Sequence, residues 1–463
     1  MARASALLLL LTLGACTVGP SYREPPKVAA APAWVEPGSS DPVDVRWWES
    51  FGDPTLARLI ADADAANLDI RSARARLAEA RADRASAAAG LLPQVNASGS
   101  ATTNRLSENG QIPIGKIPGF SRDLDLYDVG FDASWEIDLW GKTRRTIEGA
   151  EARMAAADAD RRATMVSVHA EVARSYIDLR AAQALHASLK SDADAQAKIA
   201  DLTRQRFRAG EASRFDAERA DGEARSTAAQ LPGAEADVHA AAYRLALLTG
   251  RPPEGLDPKL LEPAPIPSAP DVIARGLRSD LLRRRPDIVS AERRLAAATA
   301  DIGVATADLF PSFSLLGSIG QQGRSPGDLT ANGSMRYQFG PTLHWPIFDA
   351  GRIRAQIRGA KARAEGAAAA YEAAVLGALS DSETAANRFA RAGGTRAQSR
   401  AARDAQRAAL DLARQRYRAG EADLIELLTV ETAYLTAERA AIDAESARSD
   451  QAIALYKALG GGA

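Results

Sequence analysis

One stretch of the chain alternates strictly between apolar and polar side chains. In "YDVGFDASWEIDL", residues 127–139, one face would carry Tyr, Val, Phe, Ala, Trp, Ile and Leu, and the other would include Asp128, Asp132 and Asp138. A period of two predicts a strand, and this one is long enough to cross a membrane. Carboxylates along one face fit a water-filled lumen. A half-buried sheet of a soluble protein alternates in the same way, so this pattern alone leaves both interpretations open.

A related segment, 335–347, shows a weaker alternation that Pro341 and Pro346 interrupt. Shorter strands are predicted near 94–103 and 312–319, which gives two hairpins and four strands. A sheet in a lipid bilayer must close, and single-chain barrels need about eight strands or more. If these strands cross a membrane, several copies of the chain must share one barrel.

The segments that follow the hairpins predict long helices. Residues 142–207 and 352–417 would each extend roughly 100 Å as continuous helices. Residues 56–90 and 213–249 predict helices of about 53 and 55 Å. Two short helices stacked end to end have about the length of one long helix. This agreement in length favours a tall tube of helices.

The chain consists of two related halves. The phrase "RQRFRAGEA" at 204–212 returns as "RQRYRAGEA" at 414–422, an offset of 210 at which one Phe becomes Tyr. Residues 69–100 match 287–318 at 16 of 32 positions, with an offset of 218. The first half therefore carries eight extra residues between 100 and 135, where a Gly- and Pro-rich loop is predicted.

The repeat predicts the organisation of the chain. Gly210 and Gly420 would end the two long helices in the left-handed conformation, and Ser213 and Asp423 would cap the next ones. Kinks are expected at Pro232-Gly233 and Gly393-Gly394. The predicted segments are a signal peptide (1–15), an N-terminal linker (16–55), a first repeat (56–250, hairpin 94–139, turn 208–212), a Pro-rich linker (251–280) and a second repeat (281–460, hairpin 312–348, turn 418–422).

The first residues predict export and lipidation. Arg3 and the apolar run Leu7–Leu13 form a signal peptide too short to span a bilayer, and "LGAC" ends it at Cys16 as in a bacterial lipobox. Cys16 is the only cysteine, so an intrachain disulfide is excluded. We expect Cys16 to be the lipidated mature N-terminus.

Composition and motifs exclude several functions. With 58 Lys and Arg against 59 Asp and Glu, the chain has no basic excess for nucleic acid. Its four histidines do not pair at metal-ligand spacing, and "WGKTRR" lacks the first glycine of a phosphate loop. No catalytic constellation supports an enzyme, and no cofactor or metal is expected.

The motifs resemble those of the TolC-like outer-membrane efflux proteins, in the NodT-type lipoprotein branch. These motifs are "CTVGPSYREPP", "WWESFGDPTLARLI", "WEIDLWGK", "LRRRPDIVSAERRLAAATADIGVATADLFPSFSL", "PIFDAGR" and the two turn phrases, in order from Cys16 to the end. The resemblance implies a mainly α fold with a membrane β part: a long helical barrel and four strands per protomer of a shared trimeric barrel. It also implies a homotrimer that works with a periplasmic adaptor and an inner-membrane transporter of RND type.

The resemblance also implies an iris-like gate at the periplasmic end. By motif position, Asp216 and Tyr417 would form a hydrogen bond that ties the helix hairpins together. Glu426 would lie in an acidic ring facing the pore, with Thr429 at a second ring position. Asp423 and Glu431 could supplement this ring, although a solvated helix face is the preferred interpretation of Glu431.

Two alternatives are weaker. A duct for type I protein secretion would have the same fold, but the lipobox favours efflux of small molecules. A periplasmic coiled-coil lipoprotein without a barrel is disfavoured by the strand at 127–139. The sequence does not name the exported compound.

Overall fold

The computed structural model describes residues 17–24, 34, 35, 39, 41–107 and 121–462. The signal peptide, Cys16 and the loop 108–120 lie outside the described residues. The described chain is mainly helical with one four-stranded sheet, which confirms the predicted fold class. Among the helices described, not one combines the length and the apolar character needed to cross a bilayer.

Both halves have the same order of elements, except that two helices follow the long helix in the first half and one follows it in the second. The helices are α1 (Pro54–Ala66), α2 (Leu68–Ala89), α3 (Lys142–Arg208), α4 (Arg214–Ala228), α5 (Leu231–Leu248), α6 (Arg278–Arg284), α7 (Pro286–Ala307), α8 (Arg352–Ala419) and α9 (Leu424–Ala458). The strands are β1 (Gln94–Arg105), β2 (Asp123–Ile137), β3 (Ser312–Gly323) and β4 (Met335–His344). Helices α3 and α8 have 67 and 68 residues, about 100 Å each.

The helix predicted over 56–90 is divided at Asn67. The Asn67 side-chain oxygen accepts hydrogen bonds from the backbone N–H groups of Asp69 and Ile70, at 2.9 and 3.1 Å. Its amide donates to the Leu248 carbonyl at 2.9 Å. A buried asparagine that caps a helix and also binds a distant carbonyl stabilises a break that helical periodicity does not reveal.

The two predicted kinks have different outcomes. The helix predicted over 213–249 is interrupted at residues 229 and 230, just before Pro232, whose ring cannot continue the helical hydrogen bonds. Helix α8, by contrast, passes through Gly393-Gly394 without interruption, so these glycines do not break the helix, and a kink there stays a prediction. A Cβ built on Gly393 would lie 2.6 Å from the guanidinium of Arg448, which shows that this glycine provides space.

The described residues form two compact units. The strand unit contains residues 78–156, 291–370 and the N-terminal segment, and the helical unit contains the rest. The sheet of the strand unit is antiparallel with the order β1-β2-β3-β4. Strands β1 and β4 therefore each have one edge that pairs with no described strand.

The two faces of the sheet differ in chemistry. On one face, Asp128 accepts hydrogen bonds from Arg336 at 2.5 and 2.7 Å and from Gln322 at 3.0 Å. On the other face, the rings of Tyr337 and Phe339 are 71% and 82% exposed. The sheet thus exposes aromatic rings on one face and carries a partly exposed Asp128–Arg336 ion pair on the other.

Strand β2 ends one residue before Asp138, which does not lie on the polar face as the alternation predicted. Its carboxylate accepts from the backbone N–H groups of Thr143 and Arg144, at 3.1 and 2.9 Å. These N–H groups have no partner within the first turn of α3, so the carboxylate caps the long helix.

The N-terminal segment lies against this strand-to-helix junction. The Val18 N–H donates to the Trp140 carbonyl at 3.1 Å, and Arg145 donates to the Ser21 hydroxyl at 3.1 Å. Gly141 has a φ of +77°, and a Cβ there would lie 2.6 Å from Thr17. The junction therefore requires glycine at this position in order to accommodate the N-terminal segment.

Candidate functional site

The repeated phrase forms two matching turns in the helical unit. Gly210 and Gly420 have φ values of +78° and +77°, the left-handed conformation that favours glycine. Ser213 and Asp423 cap α4 and α9 by accepting hydrogen bonds from backbone N–H groups three residues later. Because a Cβ on either glycine would meet no atom within 3.5 Å, backbone conformation and not space requires glycine here.

Tyr417 lies in the core between the two hairpins, with only 4% of its surface exposed. Its hydroxyl is 2.7 Å from the hydroxyl of Thr203 on α3. The Thr203 hydroxyl donates its single proton to the Ile199 carbonyl at 2.8 Å, so Tyr417 is the donor in the Tyr417–Thr203 bond. The guanidinium of Arg206 covers the tyrosine ring, 5.5 Å from its centroid.

This geometry differs from the predicted bond between Asp216 and Tyr417. The carboxylate of Asp216 accepts from the hydroxyl and the N–H of Ser213, at 2.7 and 3.3 Å, and so completes the cap of α4. The Tyr417 hydroxyl is directed to Thr203 instead. Within one chain, Tyr417 therefore bonds to Thr203, and the local cap satisfies Asp216, so the predicted bond between Asp216 and Tyr417 is not formed there.

The predicted ring residues lie on one side of the first turns of α9. Asp423 and Thr429 are exposed, and Glu426 is partly exposed. Glu426 forms an ion pair with Arg416 at the end of α8. Their spacing of three residues places the three side chains along one face of the helix, although Thr429 donates its proton to the Ile425 carbonyl and carries no charge.

Glu431 is not on a solvated helix face, and that interpretation is wrong. The side chain is fully buried, accepting from Gln196 at 2.7 Å and from Arg414 at 2.6 Å. Burial raises the pKa of the Glu431 carboxyl, while the bond from Arg414 opposes this shift. Glu431 therefore links α9 to α3 and α8 and takes no part in an exposed acidic ring.

The repeat offset of 210 could have identified part of the contacts of Glu431 and Tyr417. It relates Arg414 and Glu431 to Arg204 and Asp221, which form an ion pair of 3.1 Å in the first hairpin. It also relates Tyr417 to Phe207, which has no hydroxyl. Thr203 and Gln196 were missed because their roles depend on contacts between the two halves.

Comparison with protein families identifies both halves of the chain. The model of the outer membrane efflux protein family matches residues 59–251 and 277–461. These two ranges cover most of the chain and correspond to the two repeats read from the sequence.

Individual proteins match over nearly the whole length. The pyoverdine export outer membrane protein OpmQ of Pseudomonas aeruginosa is 33% identical, covering 100% of this chain and 97% of OpmQ. Nodulation protein T of Rhizobium leguminosarum bv. trifolii is 33% identical, covering 90% of this chain and 88% of that protein. The structure of the outer-membrane channel OprN superposes with a TM-score of 0.85 at 38% identity, covering 96% of this chain and 99% of OprN.

Proposed function

Because this chain belongs to the outer membrane efflux protein family, we propose that it is the passive exit duct of a tripartite pump. The duct carries small molecules from the periplasm or from an inner-membrane transporter to the cell exterior. The motif resemblance is confirmed by the family match, and similarity to channel and export proteins also favours a transport role over an enzymatic one.

The sheet is the observation that carries this proposal. It presents exposed aromatic and aliphatic side chains on one face and an Asp128–Arg336 ion pair on the other. A bilayer accepts the first face, and a water-filled lumen accepts the second. The tryptophans Trp135 and Trp345 lie near strand ends and donate to the carbonyls of Leu91 and Leu309, as expected for an interfacial aromatic belt.

The open edges of β1 and β4 support a trimer. Unpaired backbone groups within lipid cost several kcal/mol each, so both edges need partners. Four strands from each of three copies make a barrel of twelve strands, which lies within the range of known membrane barrels. Edge β1 of one copy then pairs with edge β4 of the next.

The N-terminal segment supports lipid anchoring at Cys16. Thr17 contacts Gly141 at the junction of β2 and α3. Thr17 follows Cys16 directly in the sequence, and its neighbour Val18 donates its N–H to the Trp140 carbonyl close to the end of β2. Acyl chains attached to Cys16 would anchor the chain in the outer membrane.

The hairpin turns support a periplasmic gate that is closed at rest. Two contacts fasten the second hairpin to α3: the Tyr417–Thr203 hydrogen bond and the packing of the Arg206 guanidinium on the Tyr417 ring. Asp423 adds negative charge to the first turn of α9, where passing cations would be attracted, and Glu426, paired with Arg416, lies on the same helix face. A periplasmic adaptor that binds these turns and an RND-type transporter below it complete the proposed pump.

The proposed duct is tested with the purified full chain. We expect a trimer whose gel migration changes on heating and which forms channels of low conductance in a planar bilayer. Migration as a heat-insensitive monomer without channel activity would contradict the proposal. A control preparation of Thr203→Val should keep the heat-sensitive trimer but conduct more.

A further inference from the structure

A buried polar layer lies between helices α3, α8 and α9, above the turns. Asp192 and Gln196 on α3 are 5% and 3% exposed, and Glu431 on α9 is fully buried. Arg414 on α8 donates to one oxygen of Glu431 at 2.6 Å, and Gln196 donates to the other at 2.7 Å. This bonding leaves both oxygens of Glu431 satisfied.

At the other end of the layer, two buried oxygens lack hydrogen-bond donors within the described part of the chain. One carboxylate oxygen of Asp192 and the amide oxygen of Gln196 are buried and have no hydrogen-bond partner among the described residues. The two residues are four positions apart on α3, so their side chains are neighbours on one helix face. Two acceptors can bond to each other only through a proton, and a buried acceptor that has no partner destabilises the fold.

We propose that this layer is a proton-binding site, in which the Asp192 carboxyl holds one proton and donates it to the amide oxygen of Gln196. The hydrogen bonds then run without a gap from Asp192 through Gln196 and Glu431 to Arg414. With two carboxyl groups and one guanidinium, the proton also makes the layer electrically neutral. A proton is favoured over a metal cation because the described residues contain no group of three His, Cys, Asp or Glu side chains that could hold a metal ion.

The electrostatics support this assignment. Burial, and then the charge of Glu431, raise the pKa of Asp192 to about 6, while Arg414 opposes the shift. With a pKa of about 6, roughly nine in ten Asp192 groups are protonated at pH 5 and only a few per cent at pH 7.5. Because the folded-state pKa is raised, the stabilisation is present at low pH and is lost as the pH rises through about 6.

Charged and titratable groups reach Asp192 from each packed helix. Glu223 on α4 raises the pKa of Asp192 further. The groove beside Asp192 also carries Arg407 and Asp411 of α8 and Tyr434 and Glu438 of α9. Glu438 and Asp411 add negative charge and Arg407 adds positive charge, so the surroundings do not oppose proton uptake on balance.

The proton would fasten one hairpin to the other. Asp192 lies on α3, which ends at the first turn, and Glu431 and Arg414 lie on the second hairpin. If the turns form the proposed gate, acidification favours its closed state. This consequence rests on the proposed function, whereas proton binding itself does not.

The first experiment measures the melting temperature of the detergent-solubilised full-length protein at pH 5 and pH 7.5. The variant Asp192→Asn supplies an amide donor at both pH values, and Asp194→Asn is the matched control because Asp194 is exposed on the same helix. We expect wild type and D194N to gain roughly 2 °C or more at pH 5 relative to D192N. An identical pH dependence in D192N and wild type would overturn the proposal.

A second variant covers the case in which D192N does not assemble. Gln196→Met removes the amide oxygen that accepts the proton and keeps a side chain of similar volume. The gain in melting temperature at pH 5 should therefore shrink. An undiminished gain would again overturn the site. Burial also raises the pKa of Asp450, to about 7, so the infrared test compares two proteins. The protonated carboxyl band should grow between pH 7.5 and pH 5 by more in wild type than in D192N, and equal growth would overturn the site as well.

Conductance distinguishes the site from the gate. A lower open probability at pH 5 in wild type, absent in D192N, supports both proposals. A pH-dependent melting temperature with no change in conductance keeps the proton site and contradicts only its effect on the gate.

Discussion

Replacing Tyr417 by Phe tests whether the bond to Thr203 holds the turns closed. The substitution removes one hydroxyl and leaves the ring under Arg206 in place. Because the proton of Thr203 is used at Ile199, the Thr203 oxygen would lose its only donor. The hydrophobic core around Tyr417, which includes Leu424 and Leu427, remains intact.

The expected change in the free energy of channel closure follows from the loss of one neutral hydrogen bond per chain. Such a bond contributes about 0.5–1.5 kcal/mol net. If three copies open together, the closed state loses about 1.5–4.5 kcal/mol, three times the contribution of one bond. Since 1.4 kcal/mol corresponds to a factor of ten, the ratio of closed to open channels should fall roughly tenfold to a thousandfold.

Single-channel recording in a planar bilayer measures this ratio. Tyr243→Phe is the matched control, because Tyr243 is an exposed tyrosine of the same helical unit. Channels of this variant should conduct as wild-type channels do. Thr203→Val should resemble Tyr417→Phe, and the double variant should add little to either single change, as expected for two partners of one bond.

Two results would refute this reasoning. If Tyr417→Phe conducts like Tyr243→Phe while the trimer is intact, the hydroxyl does not hold the gate. If the effects of Thr203→Val and Tyr417→Phe are fully additive, the two residues act separately, and the 2.7 Å contact has no role in closure.

Three further predictions concern other parts of the chain. Gly394→Ala should raise the melting temperature, because alanine is more favourable than glycine in a helix interior by about 1 kcal/mol and its Cβ would meet no neighbour. Gly393→Ala should lower the melting temperature, because its Cβ would displace the guanidinium of Arg448. Equal shifts in the two variants would contradict this distinction. Glu426→Gln should reduce the preference for cations over anions, measured as the reversal potential in a salt gradient, and an unchanged potential would remove Glu426 from the pore. Cys16→Ala should abolish labelling with radioactive palmitate, and label retained by the variant would refute lipidation at this position.

Periodicity and self-similarity predicted much of the fold. The alternation at 127–139 corresponds to β2, although the strand ends at Ile137. The long helix predicted over 142–207 is observed as Lys142–Arg208. These features are predictable because they depend on side-chain spacing within one segment.

Features that depend on contacts between segments were not predicted. The helix break at Asn67 is stabilised by a carbonyl of Leu248, and the burial of Glu431 is made possible by Arg414 and Gln196. A carboxylate in a helix is usually solvated, so its pattern alone favours exposure. Only the packing of the second hairpin on α3 reverses that expectation.

The two copies of the repeated phrase are under unequal constraint. Phe207 of the first copy is 40% exposed, and the ion pair of Arg204 with Asp221 is open to solvent. The corresponding Tyr417 and Glu431 are buried. Within one chain, a substitution at Phe207 therefore disturbs fewer packed neighbours than one at Tyr417, although the two segments are nearly identical in sequence.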